Sequence, residues 1–320
     1  MTNILVTGGA GFVGSAVVEK LISNTENFVV IVDDLSTGDL RKLPSKSQKN
    51  WRFVKADVNE YRDIAEIMLG TSFDYVFHYA ALVGVIRTQL NPVKVLKDID
   101  GIKNVLNLCK STGVKRIFFS SSSEVYGEPV ELPQHEETTP LNSRVPYAVV
   151  KNIGEAFLRS YQKEYGLDFT IFRFFNTYGP KQSKDFVMSK FISKALNNED
   201  ITIYGDGSQT RTFCFVQDNI DACVKCLTDD LYINDVLNIG GEVEVKIIEL
   251  AEVIIKATNS KSKIVNLPPL KEGDMLRRCP DNSKMKKILN RELIPIEEGI
   301  KKLLASEVFK MLQEDEVENC

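Results

Sequence analysis

Short apolar runs alternate with amphipathic stretches along the first half of this chain. Six runs of strand-forming residues stand between polar turns: Ile4–Val6, Phe28–Val32, Arg52–Lys55, Tyr75–His78, Arg116–Ser120 and Phe169–Phe174. The segments between these runs carry apolar residues at helical spacing, as in Val17–Ile22. Strands that alternate with helices in this way predict an α/β fold, a doubly wound parallel sheet with helices on both faces.

The alternation loosens after residue 175, where turns become frequent. Two turn segments, Asn176–Pro180 and Tyr204–Gly207, flank a helical stretch, and a further buried strand, Val236–Ile239, follows later. This order predicts that the chain leaves its first domain, returns to it and leaves again. We therefore expect a doubly wound domain made of residues 1–175 and 212–242, and a smaller mixed α/β domain made of residues 176–211 and 243–320.

A glycine-rich turn follows the first predicted strand. Residues 7–14 read TGGAGFVG, and an amphipathic helix is expected directly after them. Gly8 permits the tight turn, Gly11 lets the backbone approach a phosphate, and Gly14 lets helix and strand pack closely. Such a turn directs backbone N–H groups and a helix N-terminus at a pyrophosphate.

A carboxylate follows the second predicted strand, Phe28–Val32. Asp33 and Asp34 stand about twenty residues beyond the glycine-rich turn, where a dinucleotide-binding fold places the acid that binds the adenosine ribose. Because a charged Asp33 would repel the additional phosphate of NADP, the pattern predicts NAD as the cofactor.

Composition and charge narrow the classes of protein. A chain of 320 residues that is 43% hydrophobic can bury a sizeable core. The formal net charge of -4 leaves no basic surplus for binding nucleic acid. No stretch reads as a signal peptide or a membrane span, so we expect a cytoplasmic protein without a membrane partner. Cys223 and Cys226 form a C-x-x-C motif without a second pair or a nearby His, so we expect helix packing and no metal.

Tyr147 and Lys151 stand four residues apart at the start of a predicted helix, on one face. The Lys151 ammonium, together with a positive nicotinamide ring, would lower the pKa of the phenol from about 10 toward neutrality. Tyr147 would then serve as a general base on a sugar hydroxyl. The serine run Ser120–Ser123 ends the fifth predicted strand, where open parallel sheets bind ligands, and one of its hydroxyls would hydrogen-bond the reacting alcohol.

These motifs together resemble the extended short-chain dehydrogenase/reductases, specifically the NAD-dependent nucleotide-sugar epimerase/dehydratase/decarboxylase family. The resemblance covers nearly the whole chain, and its matching pieces are TGGAGFVGS, VDDLSTG, Ala56-Asp57-Val58, VFHYAAL, SSSEVYG, YAVVK, RFFNTYGP, IYGDGSQTRTF with Val216-x-Asp218, and NIGG. It implies a Rossmann fold in the first domain, which would bind NAD. It also implies a nucleotide-diphosphate sugar as the substrate, bound by the smaller domain.

The resemblance also assigns roles to individual residues. Ser122, Tyr147 and Lys151 would be catalytic. Together with the glycine-rich turn, it leads us to expect the following residues at NAD: Gly8, Gly11, Phe12, Val13, Gly14, Asp33, Asp34, Leu35, Ser36, Asp57, Val58, Ala80, Ala81, Asp98, Tyr147, Lys151 and Phe174. Those that it places at the nucleotide diphosphate and the sugar are Ser122, Asn176, Lys190, Tyr204, Arg211 and Arg278. A diphosphate is well matched to a guanidinium, which binds it through two parallel hydrogen bonds.

Two positions depart from the family pattern. The family usually carries Asn-Val-x-Gly-Thr in its fourth helix, whereas residues 98–102 read DIDGI, so Asp98 replaces the amide that supports the nicotinamide region. Arg87 places a cation in the segment 83–89, where the sugar should lie. It either binds an anionic or unusual sugar or faces solvent.

Members of such a family begin alike, by removing the C4 hydroxyl proton while a hydride passes from C4 to NAD, and then diverge. Glu124 is the discriminating residue: it would be a base at C5, a support for a decarboxylating intermediate or an anchor of its loop. We favour 4-epimerisation, because it requires only Ser122, Tyr147 and NAD. The alternatives are a decarboxylase or 4,6-dehydratase, and a C4 dehydrogenase that recycles bound NAD. A catalytically inert NAD-sensing binder is disfavoured by the retained Tyr147 and Lys151.

An apolar stripe along the helix after Pro92 is broad enough for both a core and a subunit interface. Its members are Val95, Leu96, Ile99, Ile102, Val105, Leu106 and Cys109. The resemblance implies a homodimer, in which this helix and the Tyr147 helix form a four-helix bundle with their copies.

Overall fold

The computed structural model of this protein describes residues 1–268 and 277–314. Its strands, in chain order, are β1 (Thr2–Thr7), β2 (Asn27–Asp33), β3 (Trp51–Lys55), β4 (Tyr75–His78), β5 (Arg116–Ser122), β6 (Asp168–Phe174), β7 (Thr177–Tyr178), β8 (Ile201–Tyr204), β9 (Thr210–Thr212), β10 (Cys214–Phe215), β11 (Asp235–Ile239), β12 (Glu244–Lys246) and β13 (Ile264–Leu267). Its α-helices are α1 (Phe12–Ile22), α2 (Tyr61–Gly70), α3 (Val85–Leu90), α4 (Pro92–Leu96), α5 (Asp98–Thr112), α6 (Pro146–Tyr165), α7 (Val187–Leu196), α8 (Val216–Thr228), α9 (Ile247–Thr258), α10 (Ser283–Leu289), α11 (Ile296–Ala305) and α12 (Glu307–Glu314). Short 3-10 helices span Leu40–Lys42 and Ser123–Tyr126.

Seven strands form the central sheet, in the order β11-β6-β5-β4-β1-β2-β3. Neighbouring strands from β6 to β3 pair in parallel, with Val6 of β1 opposite Ile31 on one side and Phe77 on the other. The strand order reverses between β1 and β4, and open α/β sheets bind ligands at the carboxyl ends of the strands beside such a reversal. The predicted doubly wound parallel sheet is confirmed.

Two compact units make up the chain. The first contains residues 1–127, 141–174 and 220–238, and the second contains residues 128–140, 175–219 and 239–320. The sequence analysis expects the same alternation between two bodies but places residues 128–140, 175, 212–219 and 239–242 in the first one.

Backbone hydrogen bonds explain why these segments belong to the second unit. The Gln134 N–H donates to the carbonyl of Cys279 at 2.7 Å, and the Asp281 N–H donates to the carbonyl of Gln134 at 2.8 Å. Cys214 and its neighbour in β10 pair with β7. The Phe175 N–H donates to the carbonyl at the end of β11. Pairings between segments distant in sequence therefore set boundaries that local patterns do not show.

The core of the first unit is formed by the sheet strands together with α2, α5 and α6. Five residues of the apolar stripe contribute to this core and are at most 3% exposed: Val95, Ile102, Val105, Leu106 and Cys109. Leu96, by contrast, is 44% exposed. The stripe therefore serves mainly the core. Cys223 and Cys226 are buried on α8, in agreement with helix packing.

The second unit is built from short two-stranded sheets and helices. β7 pairs with β10 and β8 with β13 in parallel, whereas β9 pairs with β12 in antiparallel fashion. Helices α7 and α11 each pack against α9. This unit has the mixed α/β composition that the sequence predicts. Across residues 1–268 and 277–314, no helix has both the length and the apolar character needed to cross a membrane.

Candidate active site

The glycine-rich turn joins β1 to α1, and it leaves no room for a side chain at Gly8 or at Gly14. Gly8 has a φ of +70°, and a Cβ there would lie 2.6 Å from the backbone nitrogen of Ala80. A Cβ on Gly14 would collide with the carbonyl oxygen of Gly8. Gly11 adopts an extended conformation directly before α1. The turn therefore brings bare backbone and a helix N-terminus to the carboxyl edge of the sheet, an arrangement that fits the pyrophosphate of a dinucleotide.

Asp33 ends β2 beside this turn and is 7% exposed. Its Oδ2 accepts the Ala10 N–H at 3.0 Å, and its Oδ1 accepts the Leu35 N–H at 2.9 Å. Burial raises the pKa of the carboxyl group, and these two hydrogen bonds oppose the shift. Asp34 instead accepts the N–H and the hydroxyl of Ser36, at 2.8 and 2.7 Å. The Asp33 carboxylate thereby connects the glycine-rich turn to the end of β2.

The other residues expected at NAD lie along the same edge. Phe12 and Val13 begin α1, Asp57 and Val58 follow β3, Ala80 and Ala81 follow β4, and Phe174 ends β6. The Ala80 N–H donates to the hydroxyl of Thr7 at 3.3 Å, and the Phe174 ring packs edge-on against Tyr79, with 5.9 Å between ring centroids. The fold thus brings the residues expected at the cofactor to the carboxyl ends of neighbouring strands.

Ser122, Tyr147 and Lys151 meet at the carboxyl end of β5. Ser122 is the last residue of β5, and α6 begins at Pro146, whose fixed φ suits the first helical position. The Lys151 Nζ donates to the Ser120 carbonyl at 2.6 Å and lies 5.8 Å from the centroid of the Tyr147 ring. A hydrogen bond joins the Ser122 and Tyr147 side chains. The structure therefore assembles the three groups that the sequence singles out.

Burial dominates the ionisation of both groups on α6. The pKa of Tyr147 is raised by burial and then by the Glu124 carboxylate, and the hydrogen bond with Ser122 opposes this shift only in part. Burial lowers the pKa of Lys151 to about 8, while Asp98 acts to raise it. The pKa of Tyr147 in the protein alone is therefore raised, because the phenol is desolvated and faces carboxylates, and its lowering by Lys151 together with a nicotinamide ring stays a prediction.

Two acidic side chains face this group. Glu124 is half-buried in the 3-10 helix after β5, and its backbone N–H donates to the Ser122 Oγ at 3.2 Å. Asp98 begins α5, and its Oδ2 accepts the Leu82 N–H at 2.8 Å. Burial raises the pKa of Asp98, while this hydrogen bond and the Lys151 charge oppose the shift. A carboxylate therefore stands here, where the family that the sequence resembles has an amide.

Arg87 lies on the short helix α3 and is half-buried. Its Nη1 donates to the Val83 carbonyl at 3.3 Å, and Gly84 between them has a φ of +107°. The guanidinium is therefore held against the backbone of the preceding turn and is not a freely solvated surface group.

The substrate residues expected in the second unit lie on several elements. Asn176 precedes β7, Lys190 lies on α7, Tyr204 ends β8, Arg211 lies in β9 and Arg278 precedes α10. The Asn176 Nδ2 donates to the carbonyl of Thr212 at 3.0 Å, directly beside Arg211 in sequence. Arg278 is 7% exposed, whereas Tyr204 is 41% exposed. Among these residues, Asn176 is thus held at β9 next to the position of Arg211.

The sequence analysis misses one buried polar pair in the first unit. Glu155 on α6 and Arg173 on β6 form an ion pair of 2.7 Å. Glu155 stands four residues after Lys151, which stands four after Tyr147, so all three share one face of α6. This spacing is the signal that points to Glu155 from sequence, whereas nothing local points to Arg173.

A model of the NAD dependent epimerase/dehydratase family matches residues 4–240, which include the glycine-rich turn and the group around Tyr147. The chain belongs to this family. The predictions of an extended short-chain dehydrogenase/reductase, of an enzyme and of NAD as its cofactor are therefore confirmed at the level of the family.

Proteins similar to this chain include enzymes named for nucleotide-sugar substrates. UDP-glucuronic acid decarboxylase 6 of Arabidopsis thaliana is 35% identical over 309 residues, which cover 93% of this chain and 86% of that protein. A putative UDP-glucose 4-epimerase of Methanocaldococcus jannaschii is 35% identical over 307 residues, which cover 94% of this chain and 97% of that protein. The structure of UDP-glucose 4-epimerase with UDP-glucose from Thermotoga maritima matches with a TM-score of 0.90 and 33% identity, and covers 98% of this chain and all of that chain.

Proposed function

We propose that this family member is a 4-epimerase of a nucleotide-diphosphate sugar, with uridine diphosphate as the nucleotide. The observation that carries the proposal is the meeting of Ser122, Tyr147 and Lys151 at the carboxyl end of β5. Inversion at C4 requires a hydride acceptor and an acid–base group, and these side chains supply the acid–base group. The UDP-glucose 4-epimerases among the similar proteins support the choice.

The residues at the carboxyl edge of the sheet would hold NAD. The pyrophosphate would lie against Gly8 and Gly14, where no Cβ fits, and the Asp33 carboxylate would accept hydrogen bonds from the adenosine ribose. When bound, NAD supplies the hydride acceptor and donor for C4 together with a positive ring charge. The negative charge of Asp33 would repel the 2′-phosphate of NADP.

Tyr147 would remove the proton from the C4 hydroxyl and later return it. Ser122, which hydrogen-bonds Tyr147, would hold that hydroxyl in place. Because burial and Glu124 raise the pKa of Tyr147, the phenolate requires additional positive charge at this end of β5. The Lys151 ammonium, charged below its pKa of about 8, supplies part of that charge.

Residues of the second unit would bind the nucleotide diphosphate and its sugar. Arg211 and Arg278 would pair with the phosphates, because a guanidinium matches phosphate oxygens with two parallel hydrogen bonds. Asn176 is fixed beside Arg211 and would contact the same ligand. Lys190 and Tyr204 would also contact the nucleotide diphosphate or its sugar.

A decarboxylase is the second candidate, and Glu124 is the observation that favours it. Its carboxylate is close enough to raise the pKa of Tyr147, and a UDP-glucuronic acid decarboxylase is among the similar proteins. The substrate of such an enzyme carries a carboxylate, which Arg87 would meet. The same Glu124 would serve a 4,6-dehydratase as the base at C5.

Product analysis and one isosteric substitution distinguish these functions. NMR spectra of the products from a panel of UDP-sugars report inversion at C4, loss of carbon dioxide, loss of water or oxidation alone. In a 4-epimerase, Glu124→Gln keeps most of its activity, because neither a C5 proton nor a carboxylate leaves the sugar. Glu164→Gln, an exposed position near the end of α6, is the matched control.

Three results contradict the 4-epimerase. Loss of carbon dioxide or water by the wild type assigns a decarboxylase or a dehydratase, and release of a 4-keto sugar assigns a C4 dehydrogenase. Accumulation of a 4-keto sugar on Glu124→Gln, but not on the Glu164→Gln control, also shows that Glu124 acts after the oxidation.

We also propose that the protein is a homodimer in which α5 and α6 pack against the same helices of a second copy. These two helices contact each other within the protomer. Leu90, Val93 and Leu96, on the helices that lead into α5, are 75%, 74% and 44% exposed. Sedimentation equilibrium is expected to give a dimer for the wild type and a monomer for Leu96→Asp. A monomeric wild type contradicts the proposal.

A further inference from the structure

A buried ion pair connects α6 to β6 in the first unit. The Arg173 Nε donates to the Glu155 Oε1 at 2.9 Å, and the Nη2 donates to the Glu155 Oε2 at 2.7 Å. The two side chains are 2% and 3% exposed. Desolvation of two charges offsets most of their mutual attraction, so that well-packed apolar side chains often stabilise a fold equally well. Stability alone therefore does not account for this pair.

Further hydrogen bonds extend the pair through the first unit. The Ser121 Oγ donates to the Glu155 Oε1 at 2.7 Å. The Arg173 Nη1 donates to the Tyr126 hydroxyl at 2.8 Å, and that hydroxyl donates to the Asn238 Oδ1 at 2.7 Å. All five side chains are buried, and we call them the Glu155 network.

Two branches of the Glu155 network end beside catalytic candidates at and directly after the end of β5. Ser121 directly precedes Ser122, so its hydrogen bond to Glu155 holds the last residues of β5. Tyr126 closes the 3-10 helix that contains Glu124, and its hydroxyl is held from both sides. The network therefore fixes the backbone on either side of these two residues.

Glu155 itself connects the network to α6, the helix that carries the proposed general base Tyr147. Glu155 lies one turn after Lys151 on α6, and Lys151 lies one turn after Tyr147. The carboxylate that receives Ser121 and Arg173 is therefore on the same helix face as the proposed base. Glu155 thus joins the end of β5 to the middle of α6, in addition to the Lys151 hydrogen bond to the Ser120 carbonyl.

We propose that Glu155 and Arg173 are positioning residues, which fix the end of β5 against α6 and so set the distance between Ser122 and Tyr147. The inference rests on the proposed function, because it concerns the proton transfer at C4. Catalytic groups must be held within about 0.5 Å of their working geometry. A misplacement of about 1 Å costs up to about a hundredfold in rate.

The opposite end of the same strand pair offers a matched control. Arg116 begins β5, is also buried, and donates to the Thr170 Oγ1 of β6 and, at 3.0 Å, to the carbonyl of Cys226. Thr170→Val removes a buried partner of an arginine between the same two strands, at the end away from Ser122. It is therefore expected to disturb stability without disturbing the catalytic group.

The test compares Glu155→Gln with Thr170→Val in the full chain. Glu155→Gln keeps the side-chain volume and removes the charge, and Ser121→Ala is a milder second variant that removes one link. We expect kcat of Glu155→Gln to fall about ten- to hundredfold with the KM for the nucleotide sugar changed less than about twofold. Thr170→Val is expected to keep kcat within about twofold while lowering the unfolding midpoint.

A second readout does not depend on turnover. In protein labelled with 3-fluorotyrosine, the Tyr147 fluorine signal is identified by its loss in Tyr147→Phe and followed against pH. We expect its chemical shift and titration to change in Glu155→Gln and Ser121→Ala but not in Thr170→Val. If folded Glu155→Gln keeps both kcat and the Tyr147 titration, the positioning role is overturned.

The two proposals fail in different ways. If the wild type converts no UDP-sugar, the proposed function is wrong, and the Tyr147 fluorine signal alone then decides the positioning role. An altered signal in Glu155→Gln supports that role, and an unaltered one overturns it. If Glu155→Gln does not fold, the same two outcomes are read from Ser121→Ala.

Discussion

The strand pair β5 and β6 holds a buried arginine at each end, and the two arginines have different partners. At the amino end, Arg116 donates to the hydroxyl of Thr170 and to the carbonyl of Cys226. At the carboxyl end, Arg173 meets the carboxylate of Glu155. Burial lowers the pKa of Arg116, whereas at Arg173 burial is outweighed by Glu155, which raises the pKa.

Neutral oxygen atoms are therefore sufficient hydrogen-bond acceptors for a buried guanidinium in this sheet. The charged partner stands at the edge where the glycine-rich turn and the Tyr147 helix also converge. A buried carboxylate constrains geometry more tightly than a hydroxyl, because leaving either charge unpaired is costly. The amino edge is held by neutral hydrogen-bond partners, whereas the carboxyl edge carries the charged pair that is proposed to fix the catalytic geometry.

The largest expected difference between the two edges is catalytic. Tyr147→Phe, at the carboxyl edge, should lower kcat by about a hundredfold or more, because it removes the general base while leaving the ring in place. Tyr161→Phe, at the far end of the same helix, removes the hydroxyl that donates to Asn107 at 2.8 Å and should leave kcat unchanged. Steady-state turnover of both variants checks this, and normal turnover of Tyr147→Phe would sink the assignment.

The second prediction concerns the free energy of unfolding. Arg173→Met leaves the buried charge of Glu155 unpaired and should cost about 3–5 kcal/mol. Arg116→Met leaves only neutral acceptors unpaired and should cost about 1–3 kcal/mol. Denaturant titration of the two variants measures the difference. Equal losses of unfolding free energy in Arg173→Met and Arg116→Met would contradict the distinction between the two edges.

The third prediction is a shift in cofactor preference. Asp33→Ser removes the carboxylate at the carboxyl end of β2, so the preference for NAD over NADP should narrow by about tenfold, or about 1.4 kcal/mol. Asn27→Ala, at the amino end of the same strand, removes a hydrogen bond to the Leu21 carbonyl and should not change the preference. Calorimetric titration with both dinucleotides tests this. Tighter binding of NADP than of NAD by the wild type would refute the role of Asp33.

The smallest effect is expected in the pH dependence. Lys151 loses its charge as the pH rises through its pKa of about 8, so activity should fall above that pH. Asp98→Asn removes the carboxylate that raises this pKa, and the alkaline fall should move to lower pH by up to about one unit. His78 also faces Lys151 but remains neutral, because burial lowers its pKa to about 3.

Asp100→Asn is the control for this pH profile. Asp100 is an exposed residue of the same helix, 3.7 Å from Lys103, and its loss should leave the profile in place. If activity of Asp98→Asn falls at the same alkaline pH as that of the wild type, Lys151 does not cause this fall.

Local patterns were sufficient for much of the fold and of the candidate site. Alternation of strands and helices predicts the parallel sheet, and the spacing of Gly8, Gly14 and Asp33 predicts the turn and the carboxylate that the structure joins through Ala10. The position of Tyr147 and Lys151 on one face of α6 is predicted by their helical spacing in the same way. Each of these features depends on residues close in sequence or on one strand end.

The features that the sequence could not reveal depend on distant pairings. Glu155 and Arg173 are 18 residues apart, and Tyr126 and Asn238 are 112 residues apart. No periodicity within one element indicates which buried polar side chains will meet. The raised pKa of Tyr147 is hidden for the same reason, since it depends on burial by several elements and not on the spacing to its neighbour on α6.

The Glu155 network also has a consequence for how the chain folds as it is synthesised. Tyr126 and Arg173 each stand one residue before the end of a segment of the first unit, and Asn238 is the last residue of its third segment. A chain growing from its amino end therefore makes the Tyr126 phenol long before the amide that accepts its hydrogen bond exists. The Tyr126 phenol must keep water as its partner until Asn238 has left the ribosome, whereas the Arg173 guanidinium finds Glu155 and Tyr126 already made, so the Tyr126–Asn238 link closes after the rest of the network.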